Sequence, residues 1–578
     1  MKREVFAGEK EEICYTEKHS YFVLFGVLII TAVVFSGSLI LNWTNWDDDL
    51  YVYENPLVSE ARLKDIFTKP ADYNTYNPLV ISSFALEWKL VKDRPFLYHL
   101  NNVLLHLLCT ALVWFFFRRL GLSVWWSGFA AMLFGIHPLR VESVAWITER
   151  KDMLYALFFL ASLLYYIRYI ISGKNRQLLL AFIFFVLSLF SKIQAVTLPF
   201  ALVLLDWYFR RKISPKVFME KAIFFAASLI IGLLGSTFFV KNVYVSTDSK
   251  TILNAISFFG QIVLAGYAYT VYILKSIVPY AICTLYPMPT LLCPEHWIGA
   301  AIAVFIFVYA LAVWRKHRFI TFGLLFFTFN IFLLLMPFAA NESAFLHDRY
   351  TYVAYIGLFF VIAMGMQQIS EKFPAFCFPA MGIAVALLFV FGVMTVKYIP
   401  VWKNSETLWT YVIKKYPHKI AIAHLNRGHY WYKNNQPDKA LEDFSATIEI
   451  NPGLPLAYMN RSLMYLECNE NQKALGDINR YLDLMGSYDI SGSVFYPNIS
   501  AAVGNRGLIY SRTGQYKKAL LELDLAIKLN PPNPINYINR AIAYQKLGRI
   551  AEAREDLQTA EKWGAVIDPS LRKLLKPR

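Results

Sequence analysis

The sequence predicts an all-α protein, a polytopic membrane helix bundle of about eleven crossings followed by an α-solenoid of helix–turn–helix repeats. Two patterns predict it. Apolar runs of about 17 to 25 residues recur from Tyr21 to Tyr398, each long enough to cross roughly 30 Å of hydrocarbon as a helix. Beyond about Trp402 the chain turns amphipathic, and matching residues return at a fixed spacing. Composition agrees: 57% of the 578 residues are hydrophobic and 17% aromatic, far above soluble averages. Residues 1–400 are read as a membrane domain and 401–578 as a repeat domain. The net charge of +16 does not point to nucleic acid. The basic residues cluster in short loops between apolar runs, as cytoplasmic loops do, so anionic lipid is the expected partner.

Taken in order, Lys2, Arg3, Lys10 and Lys18 precede a first span at Tyr21–Leu41 and put the N-terminus inside. No small-residue cleavage site follows, so this helix is retained. Trp46-Asp47-Asp48-Asp49-Leu50-Tyr51 then stands outside. Spans near 97–117, 122–138, 153–171, 177–191, 193–209 and 218–240 leave Arg118-Arg119, Lys174 to Arg176 and Arg210 to Lys212 inside. Thr251–Val278 is expected to dip in or lie flat, because a full crossing would put the basic turn Trp314 to Arg318 outside. Spans near 297–314, 319–338, 351–369 and 375–398 complete the bundle, with the C-terminal domain outside. Parity puts five polar clusters on the face of the aspartates: Tyr73–Pro78, His137–Asp152, Ser191–Gln194, Lys241–Lys250 and Asn341–Tyr350. The outer face thus carries the aspartates and the repeats.

Six scattered cysteines without a CxxC pair indicate neither a zinc site nor a disulfide framework. Cys283 and Cys293 either pair in an oxidising compartment or stay as buried thiols, the second being expected.

In the soluble part Gly428, Ser462, Gly507 and Ala541 share one position, and Phe444, Ile478, Leu523 and Leu557 another. The offsets are 34, 45 and 34, four units with an insertion near Ser487–Ile499. This small-large spacing resembles the tetratricopeptide repeat, with Ser405–Tyr416 expected to cap the array. Asn426, Asn460, Asn505 and Asn539, each followed by Arg, precede the small residue in every unit. Stacked, these carboxamides either clamp the backbone of an extended peptide or, with the arginines, fasten neighbouring repeats.

On the outer face, Asp47, Asp48 and Asp49 suit a general base, a divalent metal or a solvated loop. Arg140, Arg150, Lys192 and Arg349 suit a phosphate, or pair with Glu142, Glu149, Asp152 and Asp348. His99 and His106, with Asn102 between them, read as a polar seam between helices before metal ligands. His99, Asn102, His106, His137, Glu142, His347, Asp348 and Tyr350 are expected to line the cavity. Acid at one end and cations at the other describe sugar transfer from a lipid phosphate. No P-loop or GxGxxG signature is present, so the donor is membrane-borne.

Asp47-Asp48 with Asn55-Pro56, the His99–His106 helix, His137 to Ala145 with Arg150-Lys151-Asp152, Ser191 to Gln194, His347 to Tyr350, and Trp402 with Glu406 also resemble a known family. It is the transmembrane and tetratricopeptide-repeat-containing O-mannosyltransferases, of the GT-C glycosyltransferase class. The resemblance covers nearly the whole chain. It implies a polyprenyl-phosphate sugar donor, a base at Asp47 or Asp48, and Asp49 as a bystander. The chain has about four repeats where eukaryotic members carry many more, and so few, with this resemblance, imply a bacterial inner membrane with the outer face in the periplasm. His347 stands where Ala or Pro is expected, and Gln194 where the family often has Glu, which removes a carboxylate. The reading is an inverting glycosyltransferase acting on a protein held by the repeats, with no cofactor required and a divalent metal not favoured. The alternatives are transfer to a glycolipid or polymer, and a non-catalytic membrane-anchored scaffold.

Overall fold

A computed structural model describes residues 12–71, 75–212, 214–242, 256–335, 345–486 and 496–573. Lys2, Arg3, Lys10, most of Lys241–Lys250, the start of Asn341–Tyr350 and most of the repeat insertion lie outside these residues. Numbering helices of ten residues or more, the membrane part contains α1 (Glu12–Phe35), α2 (Pro78–Val91), α3 (Pro95–Arg119), α4 (Val124–Ile136), α5 (Arg150–Ser172), α6 (Asn175–Leu189) and α7 (Leu198–Tyr208). It continues with α8 (Pro215–Asn242), α9 (Phe258–Lys275), α10 (Pro294–Ala312), α11 (Arg318–Ile331), α12 (Thr351–Lys372), α13 (Cys377–Tyr398) and α14 (Ser405–Lys415). Among the described residues there is no β-strand.

Among the described residues six helices are long and apolar enough to cross a membrane: Ser20–Ile40, Pro95–Arg119, Arg150–Ser172, Pro294–Ala312, Asp348–Lys372 and Pro374–Trp402. Four shorter apolar helices accompany them. Apolar side chains stand exposed on their outer surfaces, among them Phe22, Phe25, Phe378 and Phe389, as lipid-facing helices require. Without a hydrophobic drive between helices in lipid, packing relies on close backbone approach at small residues. A Cβ at Gly357 would stand 2.3 Å from the Gly323 carbonyl oxygen, so α11 and α12 cross backbone to backbone. Likewise Gly266 of α9 lies against Ala300 of α10.

The α9 segment, expected to lie flat or dip, contacts the beginning of α10 through Phe259 and Trp297, 5.8 Å apart. Its other end reaches Asp348 at the start of α12. Cys109, Cys283, Cys293, Cys377 and Cys468 are free thiols, and Cys293 is exposed where a buried one was expected.

The chain divides into two compact units between Val412 and Ile413. Most of α14 therefore belongs with the membrane unit, although its sequence reads as a cap for the repeats. The second unit contains helices α15–α22: Ala421–Lys433, Pro437–Ile450, Pro455–Glu467, Asn471–Gly486, Tyr496–Arg512, Tyr516–Leu529, Pro534–Lys546 and Ile550–Lys562. They pack as pairs, small residue against large. A Cβ on Gly428 would meet Phe444 at 2.7 Å, and one on Gly507 would meet Leu523 at 2.7 Å.

Each repeat arginine is spent on architecture. Arg427 Nε donates to Asp443 at 2.8 Å, Arg461 Nε to Asp477 at 2.8 Å, Arg506 Nη2 to Glu522 at 2.9 Å and Arg540 Nη2 to Asp556 at 2.6 Å. Their remaining donors reach back to the preceding helix pair, Arg461 to Ser445, Arg506 to Asn479 and Arg540 to Asp524. Asn460, Asn505 and Asn539 take no part in these bonds among the described residues. Arg461→Ala is expected to weaken its repeat by about 2 kcal/mol by stranding Asp477, and Asn460→Ala by less than about 0.5 kcal/mol. Hydrogen exchange of Pro455–Gly486 in the full chain reads both.

Candidate active site

Three of the polar clusters, His137–Asp152, Ser191–Gln194 and the described part of Asn341–Tyr350, meet beside the first loop, which is pinned on both sides of Asp47. Asp48 is buried. Its Oδ2 accepts from the backbone N–H and hydroxyl of Thr44, both at 2.9 Å, and its Oδ1 from the N–H of Thr148 at 3.1 Å and from the Thr148 hydroxyl. Burial nevertheless pushes its carboxyl up to about 6 against these four donors. On the other side, Trp46 stacks on Trp146 with ring centroids 4.4 Å apart and 9° between planes. Trp402 lies 6.2 Å away, and Trp409 packs edge-on at 5.4 Å. Asn45 accepts from Trp409 Nε1 at 2.8 Å and donates its N–H to Ser405 at 2.9 Å. Asp47, half-buried, sits between two anchored neighbours.

Beside this loop is a knot of three cations and three carboxylates. Lys192 Nζ lies 2.7 Å from Glu149 Oε1 and 2.6 Å from Asp152 Oδ1, and Lys151 Nζ 3.3 Å from Glu149 Oε2. Arg349 Nη1 lies 2.6 Å from Glu142, and its Nε 3.7 Å from Glu149. The Arg349 guanidinium rests on the faces of Trp46, the residue before Asp47, at 5.3 Å, and Trp146, at 5.4 Å, a cation–π contact.

Burial works against charge on Glu149, but Lys151, Lys192 and Arg349 together outweigh it and hold the carboxyl well below its usual range. Burial dominates at Glu142 and pushes it up to about 8 against the pull of Arg349. With Glu142 protonated, the three cations face two ionised carboxylates, leaving one excess positive charge. Lys192, Arg349, Tyr350, Asp152, Gln194 and Tyr155 line a small recess.

The other candidates lie elsewhere. Arg150 does not line the recess. It is buried with Glu87 at 2.6 Å, Asn102 Oδ1 at 2.8 Å and the Tyr98 carbonyl at 2.9 Å. Arg140 is buried under Phe134, Tyr352 and Tyr355, donating to Thr351 O and Oγ1. Both fasten helices. Asn102 also donates to the carbonyls of Val144, Trp146 and Ile147, so it shapes the loop that carries Thr148.

His106 bridges the Tyr352 hydroxyl and the Gly135 carbonyl, and His137 accepts from the Leu139 N–H. His99 is buried near them on α3. Burial, with Arg140 nearby, holds His137 well below its usual value, and His347 is lowered likewise with Arg349 beside it. Glu142, His347 and Asp348 lie around Arg349, and Tyr350 is in the recess wall.

A divalent ion does not fit the aspartates well, because both Asp48 oxygens are saturated by threonine donors. The group Cys293, Glu295 and His296 is a helix cap, with the Cys293 N–H donating to His296 Nδ1 at 2.8 Å.

Sequence reasoning missed the indole stack, Thr44 and Thr148, and Lys275. The available signals were a Trp directly before Asp47, another inside the His137–Asp152 cluster, and a lysine ending an apolar helix.

Along 585 aligned residues, 92% of this chain and 62% of the relative, the chain is 22% identical to "Protein O-mannosyl-transferase TMTC3" of Mus musculus. The chain is similar to the TMTC proteins. It is also 38% identical over 104 residues to "Protein O-mannosyl-transferase TMTC2" of Mus musculus, covering 18% of this chain and 12% of that one. The chain thus spans less than two thirds of these relatives' length. Residues 501–533 and 536–563 match the tetratricopeptide repeat family. Among solved structures, the crystal structure of MamA is 20% identical, covering 27% of this chain and 84% of that one, with a TM-score of 0.24.

Asp48→Asn replaces an acceptor-only group with one that turns an amide toward two donors. The expected cost is about 3 kcal/mol of stability, read as a lowered thermal midpoint of the purified chain.

Proposed function

We propose that the protein is an integral membrane glycosyltransferase that moves a sugar from a polyprenyl phosphate to an acceptor hydroxyl, with inversion. The observation that carries this reading is the Lys192–Arg349 recess, whose arginine rests on the indole next to Asp47. The donor phosphate enters between Lys192 and Arg349, drawing on the excess positive charge of the knot. Asp47 takes the acceptor proton as the acceptor oxygen attacks the anomeric carbon. The bond from that carbon to the phosphate oxygen breaks opposite, and its electron pair leaves on the phosphate, where the two cations stabilise it.

Asp48 keeps Asp47 in register. The reaction is read as metal-independent, with both Asp48 oxygens taken up by threonine donors. The repeats hold a protein acceptor: their arginines are committed to architecture, and the ladder of Asn426, Asn460, Asn505 and Asn539, at matching positions of the four units, meets an extended peptide backbone. The relatives' names as protein O-mannosyl-transferases support a protein acceptor over a glycolipid. In this reading the N-terminus is cytoplasmic, and the aspartates and the repeats face the periplasm.

Asp47→Asn is expected to lower transfer from a radiolabelled polyprenyl-phosphate mannose to peptide by about 10³-fold in a folded protein. Full activity in that variant would overturn the assignment.

The pH dependence follows from Glu142, which Arg349, Asp348 and Glu149 face. Below about pH 8 it is neutral and the knot keeps its excess charge. As pH rises through about 8 it ionises and cancels that charge, so the donor KM rises on the alkaline side. Glu142→Gln is expected to flatten this limb, measured as donor KM from pH 6 to 9.5.

A further inference from the structure

The turn that carries Arg349 is held by a buried ion pair that none of the preceding roles uses. Lys275, the last residue of α9, lies 3.0 Å from Asp348 Oδ1, with side chains 1% and 2% exposed. The Tyr286 hydroxyl reaches both Asp348 oxygens at 3.0 and 2.9 Å, and the Cys283 N–H reaches Oδ2 at 3.3 Å. Lys275 also sits over the Tyr286 ring at 4.1 Å.

The same two pieces of chain grip the residues just before the turn. The Tyr272 hydroxyl donates to the His347 carbonyl at 3.0 Å and accepts the His347 N–H at 3.1 Å. The Phe345 N–H donates to the Tyr286 carbonyl at 2.7 Å. On the far side, the Arg349 N–H donates to Glu142 at 3.2 Å and the Thr351 hydroxyl to the Asp348 carbonyl at 2.8 Å.

Desolvating two charges makes a buried ion pair a poor source of stability against an apolar replacement, but a strong constraint on geometry, because a displaced partner is left charged and alone. Here the constraint falls on the backbone one residue before the guanidinium. We propose that Lys275 and Tyr286 are positioning residues, which through Asp348 set the height and direction of Arg349 at the recess and so set affinity for the donor phosphate. This rests on the reading of Arg349 as a ligand of that phosphate. It makes α9, otherwise a helix of no assigned role, the element that tunes the donor site.

The test uses the full chain reconstituted in lipid vesicles, with radiolabelled polyprenyl-phosphate mannose as probe and initial rates over a range of donor concentration. Lys275→Met is expected to raise donor KM about tenfold with kcat within about twofold, as a small misplacement of a binding group does. Lys275→Arg keeps the charge and restores KM to within about threefold of the parent. Tyr286→Phe, which deletes only a hydroxyl, shifts KM in the same direction as Lys275→Met and decides the matter if the methionine variant does not fold. Arg349→Gln is the control. If it raises donor KM while the Lys275 and Tyr286 variants do not, the positioning role is wrong and the donor site stands. If Arg349→Gln itself leaves donor KM unchanged, the donor-site reading fails and the positioning role with it.

Discussion

Glu149 is the carboxylate on which the arrangement depends. It is buried at the start of α5 and answers to Lys151 beside it, Lys192 after α6 and Arg349 before α12. A carboxylate in such a place is costly unless paired, and three cations from three parts of the chain can be held close together only around a shared anion. Removing water from this end of the bundle therefore has two effects at once. It forces the helices into register through ion pairs, and it leaves Lys192 and Arg349 side by side in the wall of a recess. Preorganised positive charge of this kind serves a leaving phosphate better than flexible surface lysines would, since its reorganisation cost is met when the protein folds.

The aromatic stack extends that constraint to the acid. Trp46 lies on Trp146 and under Arg349, so the residue before Asp47 touches the same guanidinium that Glu142 and Glu149 hold. Asp48, on the other side, is locked to Thr44 and Thr148. Two adjacent aspartates thus differ in their surroundings, Asp48 held by four threonine donors and Asp47 half-buried beside the indole that carries Arg349. The repeats show a parallel division between neighbours. Arg461, Arg506 and Arg540 fasten their own helix pairs to the ones before, and among the described residues Asn460, Asn505 and Asn539 stay out of those bonds.

Much of this was legible in the sequence, because hydropathy runs and a 34-residue period report directly on burial. The all-helical membrane unit followed by repeats came from those two signals, and Asp47, Asp48, Lys192 and Arg349 stood out as charges at the ends of apolar runs. What stayed hidden depended on partners far along the chain. Arg150 looks like Arg349 until Glu87 is found 2.6 Å away, and Arg140 until three aromatic rings close over it. Glu142 and Glu149 read as mere counter-ions, although one is the hub and the other tends to stay neutral. The repeat arginines kept two readings open until their acidic partners sixteen residues later, such as Asp443 for Arg427, became visible in space. Local pattern fixes which residues are charged and near an interface, whereas tertiary contacts decide which of those charges is left to act.

The most direct test of this account is the position of the phosphate. A structure of the full chain in lipid with a bound polyprenyl phosphate should place a phosphate oxygen about 3 Å from both Lys192 Nζ and the Arg349 guanidinium, with Asp47 on the side where an acceptor would approach. A phosphate held instead by Arg140 or Arg150, or bound away from the Trp46–Arg349 contact, would contradict it.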